Sequence, residues 1–201
     1  ASLLLIKALE VMLVIVLALP CLVVIRLVRP LILVRFGTVK SSRIGDYAIT
    51  TELYLCRREL GHFGVRTVDL FCNWSGAICN RQLHRMRRRK LRISRFARWL
   101  TYANDAVPGG KQHIVPINRI MDSFGWLSKT SPHLEFAPDE IVRGTGEAEK
   151  MGMGEGTEFI CFNCRDPAYL QTAIRGAGDF SYHNFRDSSI LNYLSADEGM
   201  T

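Results

Sequence analysis

The chain has 201 residues, 48% of them hydrophobic and 22% charged, with a net charge of +7. That apolar content excludes a disordered polyelectrolyte, and the length allows one ordinary domain, or one and part of another. Six cysteines without scaffold spacing exclude a disulfide-stapled secreted module and read as reduced thiols. The charge is concentrated: residues 81–98 hold nine Lys/Arg and no acid, so the remainder carries about −2 (+7 less +9). The chain starts without methionine and ends at Ser195–Thr201 in a helical pattern, as a piece of a longer protein would.

Residues 3–25 form an apolar run broken only by Lys7 and Glu10, with Val11 to Ile25 wholly uncharged. About 20 apolar residues suffice to cross a bilayer, so residues 1–29 are expected to be a membrane anchor helix, with a buried core helix or a signal-peptide apolar region as the plain alternatives. Arg26, Arg29 and Arg35 follow the run while Lys7 alone precedes it, which orients the following domain toward the cytoplasm of an inner membrane. Leu31 to Phe36 reads as a first buried strand, Gly37 opens a polar loop, and Tyr47 to Leu60 carries a helical pattern. Strand, glycine-containing loop and helix are the opening of a Rossmann-type sheet, although the dinucleotide spacing G-x-G-x-x-G is absent. Arg43, Gly45 and Asp46 sit at the mouth of this unit, where turn and N-cap chemistry is the plain alternative.

Val65 to Cys72 alternates as a second strand does. Asn80 to Leu100 then reads as one basic helix, with Leu83, Met86, Ile93, Ala97 and Leu100 near one face. Arg85, Arg87, Arg88, Arg89, Lys90 and Arg92 are expected to surround that face and meet an anionic membrane surface, with a solvated basic face as the plain alternative; nucleic acid is not the expected partner. His113 to Pro116 is a candidate short strand, and residues 132–156, punctuated by proline and glycine, read as a linker.

Glu158 to Cys164 is an apolar run that reads as a buried strand ending at Arg165-Asp166-Pro167. Such strand ends are where open α/β sheets place ligands. Arg165, Asp166, Tyr169, His183, Asn184, Arg186 and Asp187 gather polar groups around this edge, consistent with an anionic, sugar-containing ligand. Arg165 is either a phosphate binder or the partner of Asp166 or Asp187. Asp46, His183 and Asp187 are the candidates for a general base, and Asp187 is equally placed to cap a helix over Ser188 to Asp197. Cys161 and Cys164 form a C-x-x-C, but in an extended strand they point to opposite faces, so no metal site is expected.

In LILVRFGTVKSSRIGDYAITTELYLC, PHLEFAPDEI, EFICFNCRDPAYL and FSYHNFRDSSILNYL the chain resembles a family of bacterial glycosyltransferases found with surface-polysaccharide genes. The resemblance implies an α/β fold of GT-B type. It consists of the membrane helix, an acceptor-side Rossmann-like domain over 30–131, a linker, and the start of a donor-binding Rossmann-like domain over 157–201. It further implies a membrane-anchored enzyme that moves a sugar from a nucleotide-activated donor to a glycan or lipid-linked acceptor, without a resident cofactor. Gly37, Arg43, Gly45 and Asp46 would face the cleft from the acceptor side. Arg165, Asp166, Tyr169 and the stretch His183 to Asp187, including Arg186, would face it from the donor side. The alternative is a non-catalytic protein that binds anionic lipid or polymer through residues 81–100.

Overall fold

The computed structural model describes residues 2–64, 66–117, 122–165, 168 and 181–193, in two units, Ala1–Glu135 and Phe136–Thr201. The first unit runs α1 (Ser2–Leu27), β1 (Leu33–Val39), α2 (Ile44–Glu59), β2 (Thr67–Asn73), α3 (Arg81–Lys90) and α4 (Arg95–Ala106). Strands β1 and β2 pair in parallel, from Leu33 opposite Thr67 to Val39 opposite Asn73, and α2 is their crossover. Single bridged residues flank the pair, Ile114 beside Phe36 and Ile93 beside Phe71.

Side-chain chemistry explains this βαβ unit. Val39, Phe71, Val115 and Ile117 pack with Tyr47, Tyr54 and Leu55 of α2, while Phe36 packs with Leu100 and Ala103 of α4 on a second cluster. Parallel strands covered by helices are buried on both sides, which favours such apolar runs. At Gly37 an added Cβ would lie 2.5 Å from the Phe71 ring and 3.3 Å from Val115 Cβ. Gly37→Ala is therefore expected to destabilise the unit by about 1–3 kcal/mol, read as a lower urea midpoint at unchanged m-value. An unchanged midpoint would show that Phe71 has room to move.

Two ionic clusters lie inside. Asp69 accepts both Arg35 Nε and Nη2 at 2.7 Å and also the Tyr54 hydroxyl, and Arg35 lies 4.6 Å from the centre of the Phe63 ring. Arg87, 1% exposed, donates to Glu52 Oε2 at 2.8 Å and to the Ala48 carbonyl at 2.7 Å.

These observations correct the expected fold class. No helix among the described residues is long and apolar enough to cross a membrane. Helix α1 instead lays Ala18, Leu22 and Ile25 against Phe36, Leu100 and Ala103. No Rossmann-like domain is evident among the described residues either: the sheet has two strands, and the segments at Ile93 and Ile114 extend it by one bridged residue each. The single basic helix is two helices. Between them, Phe71 N–H donates to the Arg92 carbonyl and Ser94 N–H to the Phe71 carbonyl, so Leu91–Ser94 runs beside β2 and cannot stay helical. Arg87 is a core ion-pair partner, not a surface residue.

In the second unit, α5 (Pro138–Lys150) occupies much of the expected linker, with Pro138 in its first turn and the Glu140 carboxylate accepting from Ala137 N–H. Glu158 to Cys164 is not a strand: it has no ladder partner among the described residues, and Phe159 and Ile160 are exposed. An unpaired strand leaves its backbone groups to water, so the apolar run alone does not make one. Short 3-10 turns follow at Ser181–Arg186 and Ile190–Tyr193; the second falls within the helix expected over Ser188 to Asp197, whose last four residues lie outside the described residues.

Candidate functional site

At the carboxyl ends of β1 and β2 the chain builds a rim. Trp74 N–H donates to the Val39 carbonyl, Cys79 N–H to the Ser41 carbonyl, and Ser41 Oγ to the Ala77 carbonyl. These bonds join the two loops that leave the strands, residues 40–43 and 74–79. Beside this rim opens a cavity of about 730 Å³. Its walls are the end of β2 (Cys72, Asn73), the loop residues Ser75, Gly76 and Ile78, His84 and Arg88 of α3, and the start of α4 from Ile93 to Arg95, with Arg98 and Trp99.

The electrostatics of the cavity follow from these elements. Arg88, Arg95 and Arg98 line it with no acid among the lining residues. The first turn of α4, capped by Ser94 Oγ accepting from Phe96 N–H, adds the positive end of a helix dipole. Arg98 also donates to the Asn73 carbonyl at 2.6 Å, so it braces the loop as well as charging the wall. Asn73 Oδ1 and Ser75 Oγ are buried and have no hydrogen-bond partner within the protein. His84 Nδ1 lies 2.8 Å from the Tyr47 hydroxyl. Burial, with Arg88 nearby, holds the imidazole below its ordinary pKa, and burial pushes the Tyr47 phenol up. The phenol keeps its proton and the His84 ring favours its neutral form, and the two share one hydrogen bond.

The other expected site residues fall as follows. Gly37 is buried within β1, not in a loop. Arg43 is the N-cap of α2, its carbonyl accepting from Tyr47 N–H, and Gly45 and Asp46 are in the first turn. This puts all three beside the carboxyl edge, although none lines the cavity. Of the basic cluster, Arg88 lines the cavity, while Arg85, Arg89, Lys90 and Arg92 are exposed and Arg87 is buried. In the second unit, Arg165 Nε lies 3.7 Å from Asp187 Oδ1 and the Arg165 carbonyl accepts from Ser188 N–H, so these segments are brought together. Arg186 stacks over Phe185 at 5.2 Å. His183 falls in the turn Ser181–Arg186, and Asp166 and Tyr169 lie outside the described residues.

Arg95, Arg98, Asn73 and Ser75 were not expected in a site from the sequence, where Asn73-Trp-Ser75 reads only as a formal glycosylation sequon. The available signal was a strand ending in Cys72-Asn73, a glycine-bearing loop, and arginines returning one helix later. Comparison of the chain with family models, with curated proteins and with solved structures gave no match.

Proposed function

We propose that the chain is the nucleotide-holding part of a glycosyltransferase, and that the cavity at the carboxyl edge of β2 receives the diphosphate of a nucleotide-sugar. The observation that carries this reading is a wall of three arginines and a helix N-terminus without an opposing acid. Sugar transfer leaves negative charge on a departing diphosphate, and fixed guanidinium groups stabilise that charge without a metal. Trp99, 41% exposed at the same wall, offers a ring face for a base or sugar. Asn73 and Ser75 supply acceptors and a hydroxyl for the ligand's own donors. Asp46, in the first turn of α2 beside this edge, is the candidate base for the acceptor hydroxyl.

Titration with UDP-, GDP- and ADP-sugars tests the assignment. Saturable binding is expected for one of them, weakened at least about tenfold in Arg88→Ala/Arg95→Ala, since each charged hydrogen bond contributes roughly 1.5–3 kcal/mol. Equal affinity in the double variant would refute the site. Were every nucleotide-sugar inert while vesicles containing phosphatidylglycerol bound through the same two arginines, the cavity would belong to a lipid headgroup instead.

A further inference from the structure

A second polar cluster lies on α2, and none of its residues lines the cavity. Glu52 and Cys56 are four residues apart on α2 and so share one face of the helix. His133 approaches them from residues 126–135. One donor atom from each of Glu52, Cys56 and His133 lies within 4.8 Å of the others. Glu52 Oε1 is 2.9 Å from His133 Nδ1, Cys56 Sγ accepts from Thr130 Oγ1, and His133 Nε2 is 2.9 Å from Glu59 Oε2.

We propose that Glu52, Cys56 and His133 bind a divalent transition-metal ion, with zinc the best fit. Carboxylate, thiolate and imidazole together make a soft, mixed donor set suited to zinc. Tetrahedral bonds of roughly 2.0–2.3 Å separate ligand atoms by roughly 3.3–3.8 Å, so closing the site from its present spread takes about 1 Å of side-chain movement. Glu59 already holds the far nitrogen of His133, the carboxylate–histidine arrangement that fixes the tautomer and orientation of a metal-bound imidazole. Glu52 Oε1 keeps the His133 backbone N–H at 2.8 Å, and Arg87 keeps Oε2, which presets the carboxylate. Glu52 and His133 are partly exposed, which leaves a route for the ion.

Binding requires the thiolate of Cys56 and the free lone pair of His133 Nδ1, so the protons those two atoms carry leave as the ion enters, while Glu59 faces His133 Nε2. No redox change is involved.

The test is cobalt and zinc titration of the metal-stripped protein. One equivalent of Co²⁺ should give a thiolate-to-cobalt charge-transfer band, displaced by Zn²⁺. The band should vanish in Cys56→Ser and His133→Gln, and Glu59→Gln should weaken binding by roughly tenfold or more while leaving the band in place. Cys161→Ser/Cys164→Ser should change nothing. If no band forms, or if it survives Cys56→Ser and is lost in the Cys161/Cys164 variant, the assignment is wrong. Glu59, 53% exposed at its side chain, can be changed without threatening the core, so its arm stands even if Cys56→Ser folds poorly.

Discussion

Replacing Arg87 with alanine is expected to lower the stability of the Ala1–Glu135 unit by about 3–5 kcal/mol, the usual cost of removing one member of a buried ion pair. The guanidinium is enclosed between α2 and α3, where it satisfies Glu52 Oε2 and the Ala48 carbonyl. Without it, a carboxylate and the Ala48 carbonyl lose their donor. The hydrogen bonds from His133 and Arg87 outweigh the burial that would raise Glu52, and hold its carboxyl below its ordinary pKa. Glu52 thus remains ionised at neutral pH and would keep an unbalanced charge. Adding Glu52→Gln to Arg87→Met should recover part of the loss, because removing both partners spares the unpaired charge. Chemical denaturation measures both variants. A loss below about 1 kcal/mol in Arg87→Ala would place the arginine at the surface, where exposed ion pairs contribute that little.

Asp69→Ala should have an effect of the same order, about 3–5 kcal/mol, for a different reason. One carboxylate in β2 satisfies the Arg35 fork from β1 and the Tyr54 hydroxyl from α2, so it joins all three elements of the βαβ unit. Its removal leaves a buried cation and a buried phenol together. Tyr54→Phe takes away one neutral partner only, and should cost about 0.5–1.5 kcal/mol. The ratio of the two losses, read from urea midpoints, distinguishes a three-way ionic hub from a set of independent hydrogen bonds. Comparable losses in the two variants would contradict the hub.

The elements that the sequence announces are those whose pattern is local. Apolar runs around Val34 and Leu70, with the helical spacing of Leu53 and Leu60 between them, mark β1, α2 and β2 within a few residues. Arginine misleads because its role depends on partners far along the chain. Arg35 looks like a flanking positive charge until Asp69 is placed beside it, and Arg87 looks like one of four basic residues in a row until Glu52 is. The break between α3 and α4 has no proline or glycine to signal it; the backbone of Phe71 imposes it. Glu158 to Cys164 shows the reverse error, an apolar composition without a strand to pair with among the described residues. The cavity was half legible, since a strand end was the right kind of place, but it is the end of β2 that builds it. Glu52, Cys56 and His133 have no recognisable spacing, because a loop brings the histidine to the helix only in three dimensions.

The bonds between residues 40–43 and 74–79 bear on how fast a ligand is captured. Both strand-exit segments are already fastened to each other, so among the described residues the rim of the mouth is braced before an anion arrives. Capture would then be governed by collision frequency and by the pull of the arginines on an approaching anion, and would slow as added salt screens that pull.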